Sequence, residues 1–178
     1  MQKNGFTLIE LLVVIVIIGL LAGIGIASFT GSIERSQYTT ARSHMSEFID
    51  LIKAARLVTN KTFGEISGSY CSECICRNKG PVMDIAQTDT CWTQYKQTLD
   101  RLNTATEGFI TIDFPLTDPW GNPFLFNENE GEIGCHTDNL LSVGPDGTHF
   151  TPDDIIVNIP VFKCSPSLGG HHINQNWE

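Results

Sequence analysis

Three groups of residues carry side chains fit for chemistry. Asp146, Asp153 and Asp154 crowd one short stretch, Ser142-Val143-Gly144-Pro145-Asp146-Gly147 followed by Thr151-Pro152-Asp153-Asp154-Ile155. Three like charges in one loop repel unless water or a cation neutralises them. Calcium takes about six to eight hard oxygens from carboxylates and loop carbonyls, and Gly144, Pro145 and Gly147 let the backbone curl so that carbonyls turn inward. The spacing is not that of an EF-hand, and a solvated acidic turn is the plainer alternative. The second group is the set of six cysteines, Cys71-x-x-Cys74-x-Cys76, Cys91, Cys135 and Cys164. With His136, His149, His171 and His172 they offer zinc ligands, but no second spaced pair completes a thiolate site. Disulfides fit better. A Cys74–Cys76 bond would close a strained small ring, which leaves Cys71–Cys76 with Cys74–Cys91, or Cys71–Cys74 with Cys76–Cys91, and Cys135 for Cys164. The third group is Gly5-Phe6-Thr7-Leu8-Ile9-Glu10, where one carboxylate heads an uncharged run from Leu11 to Phe29.

That run is long enough to cross a bilayer, which takes roughly 20 apolar residues as a helix. A carboxylate at its entrance costs about 3 kcal/mol if it enters lipid, so a positive partner would explain its retention, and the run itself contains none. Lys3 precedes the run and the net charge of −9 lies mostly beyond it, an asymmetry that predicts an N-terminus inside and an exported remainder. An oxidising compartment follows for the cysteines. The acidity disfavours nucleic-acid binding through a basic face. No nucleophile elbow, phosphate loop or paired metal motif is present, which makes a membrane-anchored metal-binding or enzymatic domain the remote alternative.

Beyond the apolar run, Tyr38, Ala41, Met45, Phe48, Ile52 and Ala55 recur at spacings of three and four, the pattern of an amphipathic helix. A single helix is predicted from Phe6 to about Val58, roughly 80 Å long at 1.5 Å per residue, with residues 6–29 in the membrane and 30–58 lying on the head. Gly19, Gly23 and Gly25 are its weakest stretch, each costing about 1 kcal/mol relative to Ala. Thr59 to Gly64 ends it. A cysteine-rich insert, about 64–108, lacks a period until a second helix, about Cys91 to Leu102, capped by Asp89 or Thr90. Gly108 to Phe114, Phe124 to Phe126, Asn139 to Val143 and Asp154 to Ile159 read as strands, with a turn at Asp118-Pro119-Trp120-Gly121-Asn122-Pro123. The expected class is α+β, a long helical spine packed on a small antiparallel sheet, with residues 59–178 as one head domain. The tail from Gly169 to Trp177 has no readable task.

Met1–Gly5, Phe6 and Glu10 together resemble the class III signal of type IV pilins and of the pseudopilins of type II secretion, and Asp118 to Phe124 with the acidic loop looks like the C-terminal half of major pseudopilins. The resemblance implies cleavage between Gly5 and Phe6 by a prepilin peptidase, N-methylation of Phe6, and pairing of Glu10 with the amino terminus of a neighbouring subunit. It implies one structural calcium held by Asp146, Asp153 and Asp154, with the carbonyls of Leu141 or Val143 and of His149. It also implies a homopolymeric filament with minor pilins or pseudopilins, driven by a cytoplasmic ATPase and an inner-membrane platform protein, and no catalysis. The protein would start as a single-pass inner-membrane precursor and end in a periplasmic or cell-surface filament. The later apolar run has Ala27 and Ser28 where many relatives have Pro, and the cysteine insert is unusual for a major pseudopilin. A type II secretion major-pseudopilin-like subunit is expected; a surface type IV pilus subunit for adhesion, motility or DNA uptake is the alternative.

Overall fold

The computed structural model describes residues 6–69, 71–106, 117–130 and 136–163. The leader with Gly5, the strand candidate Gly108 to Phe114, Cys135, Cys164 and the tail with His171 and His172 lie outside them.

One helix, α1, runs from Leu8 to Thr59 through two compact units, residues 1–39 and 40–178. In the first unit its apolar side chains from Leu8 to Leu21 are exposed, as expected of a surface meant for lipid or for other helices. Among the described residues no helix is long and apolar enough to cross a membrane.

In the second unit the predicted stripe is buried: Ala41, Met45, Phe48, Ile52 and Ala55 are each fully covered. The helix ends where Asn60 turns left-handed at φ 52°. A short helix α2, Phe63–Ser67, follows at once, started by a capping box in which Thr62 Oγ1 accepts from Glu65 N and Glu65 accepts from Thr62 N. Helix α3 spans Thr90–Ala105, with Asp89 as N-cap accepting from Cys91 N at 2.8 Å. Its Trp92, Tyr95, Leu99 and Leu102 face is buried. Between α2 and α3 the described residues of the insert form two 3-10 turns, Ser72–Ile75 and Val82–Asp84.

Three strands, β1 Leu125–Asn127, β2 Asp138–Ser142 and β3 Ile155–Ile159, form an antiparallel sheet in that order. Leu141 sits opposite Leu125 on one side and Ile156 on the other. Phe126 on β1 joins the layers. Its ring lies 5.9 Å from Phe48 of α1, 5.3 Å from Phe63 of α2 and 6.0 Å from Tyr95 of α3. The long helix on a small antiparallel sheet is the α+β layout expected.

Charge is also buried. Arg56, 1 % exposed, donates to Pro160 O at 2.7 Å and to Asp138 Oδ2. Glu130 Oε2 lies 2.9 Å from the same guanidinium without accepting a hydrogen bond, so that contact is coulombic. Glu130 Oε1 accepts from Phe162 N and Lys163 N. Burial pushes the Asp138 carboxyl up to about 6 in spite of Arg56. Nearby, Glu128 accepts from Ser72 N at 2.8 Å and from Ser72 Oγ at 2.5 Å, tying the insert to the end of β1. Burial pushes Glu128 up to about 7, with the Ser72 bonds pulling the other way.

A raised carboxyl stabilises the fold most when protonated. Below the unfolded value both states carry the proton; as pH rises to the folded value the unfolded chain releases its proton first, and stability falls. Glu128→Gln, which keeps acceptor and donor for Ser72, is therefore expected to leave stability near pH 4.5 unchanged. At pH 7.5 it should raise stability by on the order of 2 to 3 kcal/mol. Urea melts of both proteins across pH 4.5 to 7.5 check this; parallel pH curves would refute it.

Candidate functional site

The acidic loop hangs between β2 and β3 and is seated by the 118–123 turn. Asp118 Oδ1 accepts from Trp120 N at 3.0 Å and from Asn122 N at 2.9 Å, and its Oδ2 accepts from Ser142 Oγ at 2.6 Å. Burial raises the Asp118 carboxyl while those bonds lower it, and burial prevails. Asn122 Nδ2 donates to Gly144 O at 2.9 Å. Gly144 is left-handed at φ 65°, and a Cβ there would lie 2.6 Å from Asp153 O, so only glycine fits where the loop folds back on itself.

Within the loop, Asp146 Oδ1 accepts from Thr148 N at 2.7 Å, Asp153 Oδ2 from Asp146 N at 3.2 Å, and Asp154 Oδ2 from Phe150 N at 2.8 Å. All three carboxylates also approach one hydroxyl: Thr151 Oγ1 is 2.6 Å from Asp153, 3.3 Å from Asp154 and 3.4 Å from Asp146. A hydroxyl has one hydrogen to give, so most of this negative charge has no donor at that point. Burial and then the charges of Asp153 and Asp146 raise the Asp154 carboxyl. Burial also pushes on Asp153, but the bonds from Thr151 and the Asp146 N–H outweigh it and lower that carboxyl. Beside the loop, Asn122 Oδ1 is buried without a donor, 3.1 Å from where a Gly147 Cβ would stand.

The donor set is thus hard oxygen, crowded, short of positive charge and accompanied by an orphaned carbonyl oxygen, which suits calcium in kind. Among the described residues no three His, Cys, Asp or Glu side chains stand ready-grouped around a metal position; the three aspartates converge on Thr151 instead. Leu141 lies in the β2 ladder and Val143 is buried, both with side chains in the core. His149 is partly buried, its Nε2 without a partner, and burial, then Arg77, push its imidazole down to about 4, so it stays neutral.

The insert closes over this region. Cys76 is bonded to Cys91 and Cys71 to Cys74, the second of the two arrangements left open by spacing. Cys76–Cys91 is buried, whereas Cys71 and Cys74 are partly exposed.

At the other end of the chain, Glu10 is satisfied by its own helix start. Its Oε2 accepts from Thr7 N at 2.8 Å and from Thr7 Oγ1 at 2.7 Å, and Glu10 N donates to Thr7 Oγ1 at 3.4 Å. This is a capping box, a role hidden in the sequence by the more obvious charge argument. Phe6 is exposed.

The prokaryotic N-terminal methylation motif matches residues 1–26, which include Gly5, Phe6 and Glu10. The chain is 30 % identical over 154 residues to type II secretion system core protein G of Escherichia coli (strain K12), covering 86 % of this chain and 90 % of that protein. No solved structure matches.

Proposed function

Starting from the family to which this chain belongs, that of type II secretion system core protein G, a pseudopilin-like structural subunit, we propose that it is the repeating subunit of a secretion pseudopilus. The observation that carries this reading is the similarity along most of the chain, joined to a methylation motif over Gly5, Phe6 and Glu10. The precursor inserts once in the inner membrane, N-terminus inside, through the uncharged run to Phe29. A prepilin peptidase and N-methyltransferase cuts between Gly5 and Phe6 and methylates Phe6. The subunit then polymerises with itself and with minor pseudopilins, extracted by a platform protein and a cytoplasmic ATPase, and catalyses nothing itself.

Assembly follows from electrostatics. In the lone chain Glu10 leans on Thr7. In a filament the α-amine of a neighbour's Phe6, cationic near neutral pH, replaces those neutral donors with a charge-assisted bond that forms only in one axial register. Calcium, when bound, supplies the positive charge that the acidic loop lacks. Asp146, Asp153 and Asp154 would hold it, with carbonyls of Leu141 or Val143 and of His149 as further donors. The loop's own residues prepare for it: Gly144 permits the fold-back, and Asn122 and Asp118 hold the loop's start against β2.

Glu10→Ala is expected to insert and be cleaved normally yet to give few or no filaments, while a bulky residue at Gly5 leaves a protein heavier by the leader. Mass spectrometry of the membrane fraction and filament counts read both. Full filament yield from Glu10→Ala would refute the register argument.

The two disulfides among the described residues favour a second reading, a surface pilus subunit in prolonged contact with the exterior. Shearing native cells at natural expression separates the two. Protein retained in the envelope, together with loss of secretion on deletion, supports the pseudopilus. Abundant long sheared fibres would overturn it.

A further inference from the structure

The insert is built onto the acidic loop at four points. Val82 N donates to Gly147 O at 2.7 Å. Pro81 and Met83 flank Gly147 so closely that a Cβ there would touch both at 3.4 Å. The Arg77 guanidinium lies over the Phe150 ring, 5.4 Å from its centre. Beneath them Cys76, Cys91 and Val82 share one buried cluster with Leu125 of β1 and with Leu141 and Val143, which deliver the chain into the loop. Among the described residues between α2 and α3 the insert has no regular scaffold of its own apart from two 3-10 turns. The Cys76–Cys91 bond fixes it to the first turn of α3.

From this contact set we infer that the insert is a redox-set brace: Cys76–Cys91 holds Val82 and Arg77 against the acidic loop, so the subunit reaches its calcium-binding form only once that bond has closed. The inference rests on the calcium reading above and adds its control. Closure consumes two thiols. An oxidising protein disulfide accepts the two electrons, its sulfurs leave as two thiols carrying the two protons, and one S–S bond forms in the subunit. The thiols are kept apart in a reducing cytoplasm, so loop ordering is deferred to the far side of the membrane. Cys71–Cys74 is more exposed and closes only a local turn, so it contributes little to the brace.

The test uses the purified full chain in detergent, with hydrogen exchange of residues 144–154 measured without calcium and calcium affinity measured by calorimetry. In Cys76→Ser/Cys91→Ser, loop amides should exchange roughly 10-fold faster or more, since local protection falls with lost contacts. Calcium should bind roughly 10-fold more weakly or worse, as when support behind metal ligands is removed. Cys71→Ser/Cys74→Ser should resemble the parent. Should Cys76→Ser/Cys91→Ser lose its fold, Val82→Pro decides. It removes the donor to Gly147 at the start of a 3-10 turn, where proline is tolerated, and leaves both disulfides in place. Unchanged loop exchange in the variant that folds overturns the brace. Absence of calcium binding by the parent overturns the calcium reading instead, and the metal-free exchange still judges the brace.

Discussion

Arg56→Met should lower the thermal midpoint of the purified full chain by on the order of 10 to 20 °C, the equivalent of about 3 to 5 kcal/mol. The reason is what remains. Methionine fills much the same space along the helix, but Asp138 and Glu130, 0 and 1 % exposed at their side chains, would stay buried with no cation. Pro160 O would lose its donor as well. The pair itself contributes modestly, because desolvation offsets most of its attraction. Removing all the charge together, as Arg56→Met/Glu130→Gln/Asp138→Asn, should therefore recover much of the loss. Circular dichroism melts of the single and triple variants measure both. A single variant within about 2 °C of the parent would show that water reaches the site and screens it.

Chelation should be the other large effect. A ligand bound only by the folded state stabilises it by about 2.7 kcal/mol at a hundredfold excess over its dissociation constant, so moving the chain from saturating calcium to excess chelator should drop the midpoint by on the order of 5 to 10 °C. Asp153→Ala should melt at the same temperature with or without calcium. The choice of Asp153 follows from its place: it accepts from Asp146 N and from Thr151 and packs under Gly144, so it is the carboxylate around which the other two are arranged. A melt of the parent that ignores the chelator would remove the metal from this account.

The parts of the fold visible in the sequence are those with a local signal. Ala41 to Ala55 repeat at helical spacing and are buried; Asp89 stands before an apolar face and caps α3. The strand candidates Phe124 to Phe126, Asn139 to Val143 and Asp154 to Ile159 lie within a residue of β1, β2 and β3. The helix α2 carried its signal too, in the Thr62-x-x-Glu65 box, but five residues are too few for periodicity to show. What had no local trace were the long-range polar contacts. Arg56 meets Asp138 across 82 residues and Pro160 across 104, and Ser72 meets Glu128 across 56. No spacing rule links such positions. In the acidic loop the aspartates were legible as a group because they are close in sequence, whereas their convergence on Thr151 and the orphaned Asn122 oxygen depend on how the 118–123 turn docks.

The reach of Arg56 also sets when the head can fold. Its guanidinium sits near the end of α1, and its hydrogen-bond and charge partners among the described residues, Asp138, Glu130 and Pro160 O, come 74 or more residues later in the chain. Glu130 in turn waits for the amides of Phe162 and Lys163. Contacts of such separation must close long loops before they return any stabilisation, which slows folding and favours a single late step. A nascent chain halted before Leu125 therefore holds an unpaired cation on α1 and an apolar stripe without its sheet. Such a chain stays soft and sets only when its last strand is complete.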